Sequence, residues 1–386
     1  MNLPDLYRHT LLDDVIPFWL RHGVDREYGG FLTALDRDGS VIDTDKSVWF
    51  QGRGAWTFAT LCLKYGDRPE WRDAAAGAID FLRRYCFSPS GKMYFTVTRD
   101  GRPLRMRRYV FSESFAAIAC AAWHRLTGEE QARGDALRCF ATYLQHSFTP
   151  GVMPAKVDPA TRPMTGIGPL MIGIATAQEL RRHLGDVIVE DRSMTGWIDF
   201  AIDRIERLFM KPQHRALMEV VAPDGGIIDH FDGRTLNPGH ALECAWFLME
   251  EGRHRGAARL IELGTTILDW MWERGWDQQF GGIFYFRDLR DLPVQEYWHD
   301  MKFWWPHNEA EIATLMAWKL TGRQKYADWH RLVHDWSFKH FPDPEHGEWY
   351  GYLHRDGSVS TRLKGNMWKG LFHLPRMLMV CGKLAE

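Results

Sequence analysis

Five short motifs place ionisable side chains inside otherwise apolar stretches. Arg53 sits in Trp49-Phe-Gln-Gly-Arg-Gly-Ala-Trp56, Glu113 in Phe111-Ser-Glu-Ser-Phe115, and His240 with Glu243 in Asn237-Pro-Gly-His-Ala-Leu-Glu-Cys-Ala-Trp246. Glu309 follows Trp304-Trp-Pro-His-Asn, and His373 with Arg376 closes Trp368-Lys-Gly-Leu-Phe-His-Leu-Pro-Arg. The spacing i, i+3 puts His240 with Glu243, and His373 with Arg376, on one helix face each. A lone histidine or a lone Glu–Arg pair in such a setting is more commonly a satisfied core feature. One arginine, two histidines and three glutamates recurring at intervals of roughly 60 to 70 residues are harder to explain that way, since each unpaired buried charge costs several kcal/mol.

Two imidazoles suit removal and return of a proton at a carbon acid, with Arg53 stabilising an enediolate and the carboxylates tuning the bases. Paired carboxylic acids are the hydrolase alternative, kept open by Glu113, Glu243 and Glu309. A non-catalytic binding module is a third reading. His240, Glu243, Glu309 and His373 are a conceivable metal set, but neither an HExxH nor another closely spaced ligand set is present, so no metal is expected. Phosphate loops of the GxxxxGK[ST] or strand-borne GxGxxG type are also missing.

The elements that must hold these groups are helices. Apolar periodicity predicts twelve, over 4–22, 47–65, 70–86, 111–127, 130–148, 166–184, 194–210, 238–251, 254–273, 306–321, 323–340 and 366–382. Hairpin-like units punctuate them at Tyr28-Gly-Gly-Phe-Leu-Thr, Gly91-Lys-Met-Tyr-Phe-Thr, Asp224-Gly-Gly-Ile-Ile, Phe280-Gly-Gly-Ile-Phe-Tyr-Phe and His346-Gly-Glu-Trp-Tyr-Gly-Tyr. Three run on to Asp-Gly turns at Asp38, Asp100 and Asp356. The segment Thr149 to Pro163 is Pro-rich and reads as irregular. Six helix pairs without polar capping repeats imply a closed toroid. The expected fold is all-α, one (α/α)6 barrel over residues 1–386 with short β-hairpins in its loops. The second helix of each pair is the more apolar and should form the inner ring.

Composition agrees with a globular enzyme. The 386 residues include 48 basic and 50 acidic side chains for a net charge of −2, which offers no broad cationic surface for nucleic acid or anionic lipid. No stretch has the apolar length of a membrane span. The first ten residues already carry Asp5 and Arg8 and lack a signal-like apolar run, and six dispersed cysteines suit reduced thiols; the expected location is cytoplasmic. The excess is aromatic, with 18 Trp, 22 Phe and 12 Tyr. Trp49, Trp56, Trp246, Trp304, Trp305 and Trp368 flank the charged motifs and could wall a sugar pocket, whereas Trp318, Trp329 and Trp336 read as outer-helix packing.

On the five motifs quoted, together with Met301-Lys-Phe-Trp-Trp-Pro-His-Asn-Glu-Ala, the chain resembles the N-acylglucosamine 2-epimerase family from about residue 10 to 382. That resemblance implies an (α/α)6 barrel and a sugar 2-epimerase working on the open-chain aldehyde. It matches Arg53, His240, Glu309 and His373 to catalytic positions and Glu243 to a carboxylate orienting its neighbouring histidine. Glu113, Trp246, Trp304, Trp305, Trp368 and Arg376 are expected to bind substrate. N-acetylglucosamine/N-acetylmannosamine interconversion is the first expectation. Trp368, which resembles an indole of cellobiose and mannose epimerases, makes glucose/mannose 2-epimerisation or aldose–ketose isomerisation the alternative. The resemblance also implies a homodimer and, by analogy with mammalian members, activation by ATP. No nucleotide motif is present, and no obligatory cofactor is expected.

Overall fold

A computed structural model describes residues 2–106 and 109–386. Six helices form the inner ring: α3 (Val48–Tyr65), α5 (Phe111–Thr127), α7 (Gly168–Leu184), α10 (Pro238–Arg255), α12 (Trp304–Thr321) and α14 (His373–Ala385). The outer rods are α1 (Leu3–His9) continuing through a π-helical turn (Thr10–Val15) into α2 (Ile16–His22), then α4 (Pro69–Tyr85), α6 (Glu130–Phe148), α8 (Met194–Arg204), α11 (Ala258–Gly275) and α13 (Gln324–His340). A single turn, α9 (Phe231–Arg234), precedes α10. This is the expected (α/α)6 barrel. Successive inner helices from α3 to α14 pack on one another and each on its outer partner; the ring closes between α3 and the segment ahead of α14, where the Thr57 hydroxyl donates to the Leu371 carbonyl, and one continuous apolar core runs from Tyr7 to Cys381.

Inner helices are apolar nearly all round because they are enclosed nearly all round: α5 buries every residue from Ser112 to Trp123. Close approach needs small residues. A Cβ on Gly52 would stand 2.7 Å from the Phe115 carbonyl carbon, so α3 and α5 approach backbone to backbone there. The Asp-Gly turns form as expected, with Gly39, Gly101 and Gly357 at φ of 85°, 93° and 88°, a region open to glycine. They close antiparallel hairpins, and two of these gain a third strand immediately before an inner helix, at Lys46–Ser47 and Lys302–Phe303. Thr149 to Pro163 carries no regular element.

Two helix boundaries differ from expectation. The break placed at 251–254 falls at Gly256, whose φ of 64° ends α10 in the left-handed conformation, so Arg253, His254 and Arg255 form the last turn of α10. The last helix begins at His373 rather than 366. Asn366 Oδ1 accepts the N–H groups of Trp368 and Lys369 and holds a turn. Gly370 passes so close to Phe50 that a Cβ there would lie 1.9 Å from the ring.

Candidate active site

The inner helices surround a hollow of about 1900 Å³, larger than the usual small-molecule pocket of about 300–1,000 Å³. At its front end the N-terminal turns of α3, α10, α12 and α14 bring Arg53, His240, Glu243, Trp304, Trp305, His373 and Arg376 to one wall, with Trp246 deeper and Trp368 at the rim. All six indoles assigned to the pocket line it, and Trp298 adds a seventh. Trp329 stacks on Trp272 at 4.9 Å and Trp336 on His307 at 4.7 Å, away from the hollow.

Each histidine is held by a carboxylate. His373 Nδ1 lies 2.7 Å from Glu309 Oε1, and His240 Nδ1 lies 3.0 Å and 3.1 Å from the two oxygens of Glu219. An ionised carboxylate can only accept, so each Nδ1 carries the hydrogen and each Nε2 is free for other partners. Trp305 touches both rings, with centroids 5.1 Å from His240 and 5.7 Å from His373.

The two environments are unequal. Glu309 is shared: Trp246 Nε1 donates to its second oxygen at 2.8 Å, and Arg376 Nη2 donates to Oε1 at 2.7 Å. Burial, with the Arg53 and Arg376 cations behind it, therefore holds His373 well below the usual imidazole range. Burial also opposes a charge on His240, but the Glu219 carboxylate, seconded by Glu243 and Glu309, outweighs it and raises the pKa. Neighbouring groups driven in opposite directions are the mark of an acid and a base.

Arg53 stands apart. Its guanidinium carbon lies 4.1 Å from the Phe115 centroid and 4.9 Å from that of Phe372. Among the described residues it has no hydrogen bond or ion pair, and its Nε is buried without a partner. Desolvation pulls its pKa down to about 9, which still leaves a cation at neutral pH. The indole N–H groups of Trp49 and Trp304 are likewise buried and unpartnered. Buried donors without a partner carry a cost that a polar acceptor brought beside them would relieve.

Two expectations need correction. Glu113 does not reach the hollow. Its Oε1 accepts the Met93 N–H at 2.7 Å, matching Gln51, which accepts from Phe31, and His307, which accepts from Ile283. All three pin a hairpin to an inner helix; burial raises Glu113 to about 7. Glu243 is not the carboxylate that orients its neighbouring histidine. It bonds Arg376 Nη2 at 2.6 Å, and Glu219 takes the role at His240. Glu219 was missed because it lies outside the inner helices, next to the short strand Val220–Val221. Its only signal is a lone acid in the apolar run Leu217-Met-Glu-Val-Val221. Glu243, Glu309 and His373 do bring one ligand atom each within 4.8 Å of one another, but the Arg376 guanidinium already bridges the two carboxylates and supplies the positive charge there.

Carboxylate-held imidazoles of opposite bias beside an unpartnered guanidinium, on an (α/α)6 toroid, are the equipment of a sugar 2-epimerase, an isomerase. A family model described as N-acylglucosamine 2-epimerase matches residues 29–375. The chain is 37% identical over 385 residues to the N-acylglucosamine 2-epimerase of Bos taurus, covering 97% of this chain and 89% of that one. It is 25% identical over 383 residues to the cellobiose 2-epimerase of Bacteroides fragilis, covering 94% of each. Among solved structures, the cellobiose 2-epimerase of Bacillus thermoamylovorans superposes with a TM-score of 0.85 at 19% identity over 98% of both chains, and a D-mannose isomerase with 0.81 at 18% over 98% and 97%. The chain belongs to the N-acylglucosamine 2-epimerase family.

Proposed function

We propose that this enzyme interconverts N-acyl-D-glucosamine and N-acyl-D-mannosamine by moving the proton at C2 of the open-chain sugar. The observation that carries the reading is the pair of histidines, each fixed at Nδ1 by its own carboxylate, on one cavity wall with Arg53. In the resting state His373 is neutral and its Nε2 takes the C2 proton from one face. The electron pair moves onto the C1 carbonyl oxygen, and Arg53, with the Trp49 and Trp304 N–H groups, stabilises the enediolate-type anion. Protonated His240 then returns a proton to C2 on the opposite face. Glu309 and Arg376 act through His373, and Glu219 through His240. The reverse reaction uses the two histidines in exchanged protonation states.

The higher identity to mammalian N-acylglucosamine 2-epimerases than to cellobiose 2-epimerases supports the N-acyl substrate. The size of the hollow and the half-exposed Trp368 at its rim favour glucose/mannose as the second reading. Delivery of the proton to C1 instead would make the ketose. A hydrolytic reading finds less support, because Glu113 is a hairpin pin and the other two glutamates share one guanidinium.

All the groups this chemistry needs are side chains, so no cofactor is invoked; a rate change on adding ATP would report the activation implied by mammalian members. Six buried free cysteines suit a reducing, cytoplasmic setting, and no helix of the described residues is long and apolar enough to cross a membrane. The test is proton NMR in heavy water with N-acetylglucosamine, N-acetylmannosamine, glucose, mannose, fructose and cellobiose. Loss of the C2 proton signal with growth of the N-acetylated epimer is expected. No C2 exchange in any sugar would refute the epimerase reading, and exchange confined to the unmodified sugars would replace the substrate.

A further inference from the structure

Trp246 differs from the other indoles at the catalytic end. Trp49 and Trp304 have N–H groups without a partner, and Trp368 is 42% exposed. Trp246 is 8% exposed and its N–H is already spent, donated to Glu309 Oε2 at 2.8 Å. The Arg376 guanidinium carbon lies 5.1 Å from its ring centroid, and the Phe247 ring packs edge-on at 4.4 Å. Little of this indole is left for a pyranose to stack on.

What it holds is the carboxylate behind His373. Glu309 is fully enclosed, and its two oxygens have different partners. Oε1 accepts from His373 Nδ1 and from Arg376 Nη2, both at 2.7 Å. Oε2 has the Trp246 N–H as its one donor among the described residues. Donors on both oxygens fix the plane of the carboxylate, and one sealed from solvent cannot replace a lost donor with bulk water. One turn before Trp246 on α10, Glu243 bonds the same Arg376 Nη2 at 2.6 Å. Helix α10 therefore grips α12 through the indole and α14 through Glu243. The charged and titratable groups that bear on His373 are Arg53 from α3, His240 and Glu243 from α10, Glu309 from α12 and Arg376 from its own helix. An N–H donated to Oε2 draws charge from the Glu309 carboxylate and weakens its pull on the imidazole proton.

We infer that Trp246 is a positioning residue of the proton transfer, acting on His373 through Glu309, and not a platform for the sugar. Its N–H holds the carboxylate so that Oε1 meets His373 Nδ1 and the ring keeps one orientation toward C2. The same bond leaves Glu309 a weaker acceptor, which helps His373 stay a neutral base. Without it, Oε2 regains its full charge, the carboxylate is free to turn, and the imidazolium is favoured. The catalytic part of this inference rests on the assignment of His373 as a base at C2; the effect on the imidazole itself does not.

Two variants of the full chain test it: Trp246→Phe, and replacement of Trp246 alone by 3-benzothienylalanine, which keeps the shape of the indole and puts sulfur where the N–H was. The second decides if the first fails to fold. With nitrogen-15 histidine, the His373 resonances are identified by their loss in His373→Asn. Nitrogen NMR should show His373 taking up its proton at a higher pH in the variants than in the parent. That readout needs no turnover, so it stands even if no sugar exchanges its C2 proton. In the C2 exchange assay kcat should fall about tenfold, the worth of one hydrogen bond to a buried charge, while KM stays within about twofold. The acid limb of kcat/KM should move to higher pH and the alkaline limb stay in place. An unchanged His373 titration would overturn the inference. If KM then rises with kcat kept, Trp246 returns to sugar binding; if kcat falls equally at every pH, its role is merely structural.

Discussion

Two regions that bury charge treat it in opposite ways. In the hairpin layer, Asp25 is joined by Lys46 at 2.9 Å and Arg99 at 2.9 Å, Asp277 by Lys302 at 3.0 Å and Arg355 at 2.8 Å, and Asp343 by Lys364 at 3.0 Å and Arg37 at 2.8 Å. Burial opposes ionisation of Asp277, but Arg355 and Lys302 hold it well below the usual carboxylate range. Every lysine of the three triads is fully enclosed and paired. At the catalytic wall Arg376 serves two carboxylates while Arg53 serves none. Satisfied charge builds the scaffold, and unsatisfied charge waits for substrate.

That contrast can be broken from either side. His373→Asn should lower C2 exchange by about 10²–10⁴-fold, with a melting temperature close to the parent's; a stable variant with near-normal turnover removes His373 from the chemistry. Arg53→Met should lose about 10²–10³-fold in kcat and melt no lower than the parent, because it deletes a buried cation that has no partner. Asp277→Asn should do the reverse. Leaving Lys302 beside an amide should cost roughly 3–5 kcal/mol on denaturant unfolding, with kcat per folded molecule little changed. Equal stability losses in the Arg53 and Asp277 variants would erase the distinction.

Proton placement sharpens it. The active form carries one proton over the two histidines, so kcat/KM should fall on the acid side as His373 protonates and on the alkaline side as His240 deprotonates. With His373 lowered and His240 raised, the plateau should extend both below and above the ordinary imidazole pKa. Glu219→Gln removes the charge that raises His240 and should draw the alkaline limb toward lower pH, leaving the acid limb in place. A uniform loss at every pH would make Glu219 merely structural. Smallest of all, Glu113→Gln keeps a carbonyl for the Met93 N–H and should change stability by less than about 1 kcal/mol and turnover not at all.

Much of this was legible because the barrel repeats. Helical periodicity located the twelve rods, and polar residues at the start of inner helices located Arg53, His240, Glu309 and His373. The same rule misassigned Glu113, since a carboxylate at the start of an inner helix can face the hairpin as well as the hollow. Glu219 escaped because its partner is 21 positions away and no local pattern registers a loop-borne acid against a helix-borne imidazole. The start of α14 was lost to one asparagine side chain. The aspartates of the triads stand in Asp25-Arg-Glu-Tyr-Gly-Gly, Asp277-Gln-Gln-Phe-Gly-Gly and Asp343-Pro-Glu-His-Gly-Glu, where the glycines announced a turn and concealed the charge behind it.

The three arginines of those triads each precede an Asp-Gly turn, and each reaches back to the aspartate of the unit before it. For Arg99 and Arg355 that unit is upstream in the chain. For Arg37 there is no earlier unit, and its partner, Asp343, lies 306 residues downstream. The first unit is thus bolted to the last by the same joint that links adjacent ones, and Leu35 pairs with Gly365 beside it. The hairpin layer closes on itself. A chain reopened at the exposed Asp-Gly turn of Asp100, with Glu386 linked to Asn2, would be asked to make the same joints in a different order.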